Sequence, residues 1–298
     1  MLADPVVIFR SLRRPACEER AFVLTAVLID NRVIEEPGMT GEPAGFALCV
    51  SQAQAALAAH HLHQYDQERR RPRPRLPAVV QHQNPWRGAA AYAFVLVLVA
   101  IAAATHAFPR DLFDAGAMQG NLFASGQWWR AFTALTLHWD LQHLLGNLGA
   151  GMLFGYFAAR QLGNGRAWLL VLVASGAANL IEVTMVPEQY VSAGASTAVF
   201  ATVGLLAAHT WRTRRGFGLP GWRQAAPLIG GVMLLAWLGT EGENTDVLSH
   251  GLGFAFGMLA GFAAATSVGA RVLARIPQTI AAAAALAWLA LCWGLALG

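Results

Sequence analysis

Ser196 and His250 are the residues of this chain whose types and settings best suit covalent chemistry. Ser196 stands in the segment SAGAST at 192–197 and His250 in the segment DVLSH at 246–250, and each segment opens an apolar run. A serine hydroxyl is a weak nucleophile until a base removes its proton, and neutral imidazole is a suitable base near neutral pH. The pair therefore predicts acyl transfer, with Ser196 as the nucleophile and His250 as the base.

Three further residues suit the oxyanion that acyl transfer generates. His143 and Asn147 are four residues apart, so a helix presents both donors on one face. An oxyanion needs donors that are already in place, and a helix that begins at Ser196 adds unpaired backbone N–H groups. Gly194, two residues before the serine, allows a substrate strand to approach the backbone closely.

Each of these residues also has an ordinary structural explanation when it is taken alone. Ser196 can be the N-cap of a helix, and His250 can be an interfacial or helix-packing histidine. His143 and Asn147 can join helices by hydrogen bonds. The functional interpretation therefore depends on whether the elements that carry these residues bring them to one place.

The composition points to a membrane protein. The chain of 298 residues is 56% hydrophobic and 13% charged, whereas soluble domains are about 45–50% apolar and about 25% charged. A membrane-spanning helix needs about 20 mostly apolar residues, and seven runs approach or reach that length. They cover about 88–108, 141–159, 167–186, 196–211, 225–240, 247–268 and 279–297. The net charge of +4 does not indicate nucleic-acid binding, because the arginines lie between apolar runs and not along one face.

The arginines predict the orientation of these runs. If residues 1–87 are cytoplasmic, 8 of the 10 arginines after residue 87 fall in loops on that same side, as the positive-inside rule requires. This orientation places the C-terminus outside, and the second, fourth and sixth runs then all pass from outside to inside. The polar segments that open these three runs are therefore expected at one depth, near the outer face.

Gly253, Gly257 and Gly261 recur every fourth residue along the sixth run. This spacing gives a helix one face of small residues, which lets a neighbouring helix approach closely. We therefore predict that these glycines serve helix packing and take no part in the chemistry.

Residues 1–68 are predicted to form a small cytosolic α/β domain. Buried strands are expected at 21–30 and 46–50, with a turn at 38–43 between them and a helix at 51–68. The Arg- and Pro-rich segment 69–87 is expected to be an extended linker. The sequence of this domain contains no catalytic or ligand motif, and its partner stays unknown.

A histidine cluster in this domain offers a weak metal signal. His60, His61 and His63 lie on the predicted helix, but they include no i,i+4 pair and have no cysteine beside them. A solvated helix face is therefore favoured over a metal site.

Taken together, the motifs after residue 87 resemble the rhomboid family of intramembrane proteases. That family has a Trp-Arg pair in its first external loop, two histidines and an asparagine at the start of its second helix, a Gly-x-Ser at the start of its fourth, and a histidine followed by glycines in its sixth. The matching residues are Trp129–Arg130, His138, His143, Asn147, Gly194–Ala195–Ser196, His250, Gly253 and Gly257. The resemblance covers about residues 88–268 and is specific as a set.

The resemblance implies a fold and an activity. The fold would be an all-α polytopic membrane protein, a rhomboid-like helical bundle with its six-helix core at 88–268 and a loop and seventh helix at 269–298, joined to the small N-terminal α/β domain. The activity would be that of a serine endopeptidase that cuts peptide bonds in or near transmembrane segments of other membrane proteins. Its partners would be those substrates and the lipid bilayer.

The resemblance also implies roles for the matching residues. Ser196 and His250 would form a catalytic dyad that needs no metal and no cofactor. His143 and Asn147, with the Ser196 backbone N–H, would line the oxyanion site. The pair Trp129–Arg130 would stabilise the external loop.

The expected location is a bacterial inner membrane, with the active site near the outer face. The orientation follows from the arginines, which place the N-terminus in the cytoplasm and the C-terminus outside. The bacterial assignment rests on the composition, because a chain that uses only arginine as its fixed cation and is rich in alanine is typical of a GC-rich genome.

Two positions depart from the family pattern. Thr197 follows the serine where glycine is common, and its β-branched side chain is expected to narrow the pocket beside the oxyanion site. The acidic residue often found late in the second helix is replaced by Ala159–Arg160, which puts one structural contact to the first external loop in doubt. Neither departure removes a catalytic group.

Two other functions stay open at this point. A non-catalytic rhomboid-like protein would bind membrane clients without cutting them, although such relatives usually lack the serine or the histidine that this chain keeps. A small-solute transporter would place polar residues near mid-membrane and show symmetry between its halves, whereas here the polar segments cluster near one surface.

Overall fold

The computed structural model describes residues 4–37, 45–70, 82–215, 220–238 and 246–298. The chain divides into two compact units, Met1–Pro74 and Arg75–Gly298.

The first unit is a three-stranded antiparallel sheet with helices. Its elements are β1 (Pro5–Ser11), α1 (Arg14–Ala26), β2 (Asn31–Glu36), β3 (Gly45–Ser51), a 3-10 turn (Gln52–Gln54) and α2 (Ala55–Arg70). The strand order is β1-β3-β2, so β3 is central and pairs antiparallel with both neighbours. The core of the unit includes Leu24, Leu48 and Val50.

The prediction of a strand at 21–30 is wrong, because most of this segment belongs to α1. Cys17, Arg20 and Leu24 are the buried residues of α1, and their spacing of three and four is the period of a helix. Phe22, which gave the segment its strand-like composition, is 77% exposed. The strand at 46–50 and the helix at 51–68 are confirmed by β3, the 3-10 turn and α2. The turn at 38–43 lies outside the described residues, as does most of the linker.

Seven long helices of the second unit coincide with the seven apolar runs. They are α3 (Trp86–Ala104), α7 (Leu141–Leu162), α8 (Asn164–Glu182), α9 (Ser196–Arg214), α10 (Gly221–Leu238), α11 (Val247–Ala264) and α13 (Gln278–Leu297). In the described part of the chain, α3, α11 and α13 are long and apolar enough, by length and composition, to cross a membrane.

Short elements connect these helices. Between α3 and α7 lie α4 (Leu112–Gly116), β4 (Met118–Gln119), α5 (Gly120–Ala124), α6 (Arg130–Thr133) and a 3-10 turn (Ala134–Thr136). The strand β5 (Val191–Ser192) pairs with β4 just before α9, and α12 (Ser267–Arg275) precedes α13.

The backbones of helices α9 and α11 come into contact at the three glycines that were predicted to serve helix packing. A Cβ atom on Gly253 would lie 2.5 Å from the Thr197 carbonyl oxygen, and one on Gly257 would lie 2.0 Å from the Ala201 carbonyl oxygen. Gly261 meets Leu205 in the same way, one turn further on. The packing prediction is confirmed, and because the contacts advance together along both helices, α9 and α11 run parallel.

The helix α7 runs parallel to α9 as well. At one end, His143 of α7 lies against Gly194, two residues before α9. At the other end, Gln161 of α7 bonds to His209 and Thr210 of α9. The starts of α7, α9 and α11 therefore lie at the same end of the bundle, as the arginine pattern predicted.

Candidate active site

Ser196 is the first residue of α9 and is half-buried. The N-cap position is held by Ala195, which makes no side-chain capping bond. The explanation of Ser196 as an ordinary N-cap is therefore wrong. Ala195 supplies no side-chain acceptor to the N–H groups of the first turn, which carry the positive end of the helix dipole.

Gly194 brings the His143 ring beside the serine. Its φ of +154° lies in a region that favours glycine. A Cβ atom there would lie 2.7 Å from the His143 Cε1 atom and 3.6 Å from the Ser196 Oγ atom. Because glycine has no side chain, the imidazole of His143 and the hydroxyl of Ser196 can both lie close to this position.

The start of α7 is fixed by a cap, and Asn147 lies one turn inside it. The Asp140 carboxylate accepts a hydrogen bond of 2.7 Å from the His143 backbone N–H. Asn147 is buried, and its Nδ2 donates to the His143 carbonyl at 3.1 Å. An amide nitrogen carries two donors, so one of them is left for another acceptor.

His250 is buried on α11, at the level of the Ser196 end of α9. Its ring packs against the Phe200 ring, with centroids 4.5 Å apart and planes inclined by 38°. It also lies close enough to His143 for their charges to interact. Sequence reasoning missed Phe200, although its position four residues after Ser196 placed it on the same face of α9.

Thr197 and Ser249 form a hydrogen-bonded hydroxyl pair between α9 and α11. Both are buried, and each is the sequence neighbour of one member of the Ser196–His250 pair. The hydroxyl of Thr197, the residue that departs from the family pattern, is therefore directed at α11. The sequence placed Ser249 in the polar segment that opens α11, but its bond to Thr197 was not predicted, because nothing in the sequence pairs two hydroxyls 52 residues apart.

His138 precedes α7 and accepts a 3.4 Å hydrogen bond at Nε2 from the Ala195 backbone N–H. Burial, with a smaller contribution from His143, lowers the pKa of His138 to about 4. The ring is therefore neutral near neutral pH, as an acceptor nitrogen requires.

Arg130 is buried and holds the segment between α3 and α7 together. Its guanidinium donates to the carbonyls of Ala117 and Asp114 and to the Gln127 side chain, at 2.6, 2.7 and 2.7 Å. Its neighbour Trp129 packs edge-on against Trp128.

We expect Arg130→Ala to destabilise the fold by about 2–3 kcal/mol, because buried carbonyls lose charged donors. Thermal unfolding in detergent should show a Tm lower by about 5–10 °C. Arg110→Ala is the control, since Arg110 is exposed and donates one 3.4 Å bond to the Ala296 carbonyl. Equal Tm values for the two variants would contradict a structural role of Arg130.

The fold and the site define an apolar helical bundle with a serine, two histidines and an asparagine gathered at the ends of three parallel helices. Residues 125–267 match the family model described as Rhomboid domain. The chain is 31% identical over 164 residues to rhomboid protease GluP of Bacillus subtilis (strain 168), a match that covers 52% of this chain and 29% of that protein. It is 30% identical over 140 residues to putative rhomboid protease YdcA of the same organism, covering 47% of this chain and 68% of that protein.

A plant relative matches a shorter stretch. Rhomboid-like protein 11, chloroplastic, of Arabidopsis thaliana is 33% identical over 90 residues, which cover 30% of this chain and 32% of that protein. The chain belongs to the rhomboid family. It spans less than a third of the length of the first of these relatives. Family membership and the apolar helices together support integration into a membrane.

Proposed function

We propose that this protein is an intramembrane serine endopeptidase that hydrolyses peptide bonds in or near transmembrane segments through a Ser196–His250 dyad. The observation that supports this most is the parallel packing of α9 on α11, which sets Gly253 against Thr197. That register places the serine and the buried histidine at one level, with His143 beside them.

The reaction proceeds in two balanced steps. In the first, His250 takes the Ser196 proton as the oxygen attacks the scissile carbonyl, and then passes that proton to the leaving amine as the C–N bond breaks. In the second, His250 takes a proton from water, which attacks the acyl-enzyme. The proton returns to the Ser196 oxygen as the ester bond breaks, so serine and histidine are both regenerated.

The oxyanion of each tetrahedral intermediate needs donors near Ser196. We assign this role to the Ser196 backbone N–H, the His143 ring and the second N–H of the Asn147 amide. Loss of one such donor costs about a hundred- to a thousandfold in kcat in other acyl-transfer enzymes.

The substrates in this proposal are transmembrane proteins, and the reaction uses no metal or cofactor. An intact helix hides its carbonyls in internal hydrogen bonds, so a substrate helix must unwind near its outer end before it is cut. Helix-breaking residues ease this unwinding, and we expect cleavage near small residues. The location proposed is a bacterial inner membrane, with residues 1–68 cytoplasmic and the C-terminus outside.

The test is cleavage of a transmembrane reporter in proteoliposomes, with the products identified by mass spectrometry. The wild type should cut within or beside the apolar segment, and Ser196→Ala should not. Ser125→Ala is the matched control, because Ser125 is exposed and its hydroxyl donates to the nearby Leu122 carbonyl. Cutting by Ser196→Ala at the wild-type rate would reject the proposal. Reporter binding by the wild type without cleavage would favour a non-catalytic client-binding protein.

A further inference from the structure

A buried carboxyl group at the end of α8 lies outside the chemistry described so far. Glu182 is 0% exposed. Its Oε1 lies 3.4 Å from the Tyr190 hydroxyl oxygen, whereas its Oε2 has no donor among the residues that the structure describes. The side chains of Asp246 and Ser249 are also within hydrogen-bonding reach of this carboxyl group. One of the neighbours within reach of this carboxyl group is therefore another acid.

The second acid, Asp246, caps α11. Its Oδ1 accepts from the Ser249 backbone N–H at 3.0 Å, and its Oδ2 accepts from the hydroxyls of Tyr190 and Ser192. Burial raises the pKa of Asp246, but hydrogen bonds from Glu182, Tyr190 and Ser249 outweigh it, so the net direction is downward. Asp246 is therefore the ionised member of the pair.

In the described part of the chain, no arginine forms an ion pair with Glu182 or Asp246. The described titratable side chains toward the same end of the elements packed on α8, with the loop that follows it, are Tyr190, Glu188, Asp246, His250, His143, Arg130 and Cys292. Glu188 is exposed. The guanidinium of Arg130 is already bonded to the loop carbonyls and Gln127. A buried carboxylate and a half-buried one beside it cannot both ionise without a large cost.

We propose that Glu182 is a positioning residue that carries a proton and donates it to Asp246, and that this shared proton holds the first turn of α11 in place. The proposal rests on the proposed function, because the element it positions carries His250. A proton on Oε2 lets this oxygen, which has no other partner among the described residues, donate a hydrogen bond to the Asp246 carboxylate.

The link from Glu182 to the dyad runs through groups already described. Asp246 caps α11 four residues before His250, and Ser249 bonds to Thr197, the neighbour of Ser196. The chain Glu182–Asp246–Ser249–Thr197 therefore joins the ends of α8, α11 and α9. When Glu182 loses its proton, the two negative carboxylates repel each other. Asp246 then moves away from Glu182, and the first turn of α11, which Asp246 caps, moves with it.

The pH profile of cleavage tests the positioning role. The shared proton is present at low pH and lost as pH rises, so wild-type kcat should fall in alkaline solution. Glu182→Gln keeps an N–H donor toward Asp246 and cannot ionise, so its alkaline midpoint should rise by about one pH unit or more. Glu188→Gln removes an exposed carboxylate six residues away and should leave the midpoint unchanged. An unshifted midpoint in Glu182→Gln overturns the positioning role.

Infrared spectroscopy tests the proton without any need for cleavage. The full-length protein at neutral pH should show the carbonyl band of a protonated carboxylic acid, and Glu182→Gln should lose it while Glu188→Gln keeps it. Identical spectra for wild type and Glu182→Gln would overturn the shared proton. If the band is present but no Ser196-dependent cleavage occurs at any pH, the proposed function fails and the shared proton between Glu182 and Asp246 stands.

Discussion

His250→Ala and Ser196→Ala should each lower kcat by at least about a thousandfold, and the double variant should lose no more than either single one. The reason is that the two residues act as one unit: without the base the serine keeps its proton, and without the serine the base has nothing to activate. Substrate affinity should change little, because neither side chain is large. Cleavage of a reporter by purified protein in proteoliposomes gives the rates.

Controls separate chemistry from folding in this experiment. His63→Ala removes an exposed imidazole from α2 and should cleave at the wild-type rate. The Tm of each variant should stay within a few degrees of wild type. Effects of the two single substitutions that multiply in the double variant would contradict a dyad.

Gly257→Ala should destabilise the protein and reduce cleavage together. The new Cβ atom would lie 2.0 Å from the Ala201 carbonyl oxygen and 2.6 Å from its carbonyl carbon. These are backbone atoms, so no change of rotamer relieves the clash and α11 must move away from α9. Overpacking of this kind costs about 1–3 kcal/mol. The same movement separates the helices that carry Ser196 and His250, which lowers kcat.

Gly251→Ala is the matched control on the same helix. A Cβ atom at Gly251 meets nothing within 4 Å, and alanine favours a helix over glycine by up to about 1 kcal/mol. Thermal unfolding and cleavage should therefore distinguish the two variants clearly. Equal Tm values and equal rates would show that the contact between α9 and α11 does not set the geometry of the site.

The sequence predicted the helices of the second unit well because each long apolar run opens or closes at a polar or glycine-containing segment. It was also predictable that His143, Gly194 and His250 lie at the same depth in the bundle. The placement of the arginines indicates the direction of each apolar run, and all three residues lie near the start of runs that point the same way. The glycines of α11 carried their own signal in their spacing of four. These features are local or periodic, which is why one sequence suffices for them.

The features that sequence reasoning missed depend on contacts between distant segments. Glu182 meets Asp246, 64 residues further on, only because the end of α8 and the start of α11 lie at the same end of the bundle. The Thr197–Ser249 bond likewise needs the register of α9 on α11. In the first unit, the segment 21–30 has a strand-like composition, but most of it belongs to helix α1. The buried residues of α1 recur at every third or fourth position, which is the period of a helix. Composition alone cannot report which face a neighbour covers.

Labelling of the folded protein with a fluorophosphonate, followed by mass spectrometry of its peptides, tests the Ser196–His250 dyad most directly. The probe reacts with serines made nucleophilic by a nearby base, and it requires no knowledge of the substrate. We predict that Ser196 is labelled in the wild type and not labelled in His250→Ala. A wild type in which Ser196 stays unlabelled, or equal labelling with and without His250, would contradict the dyad.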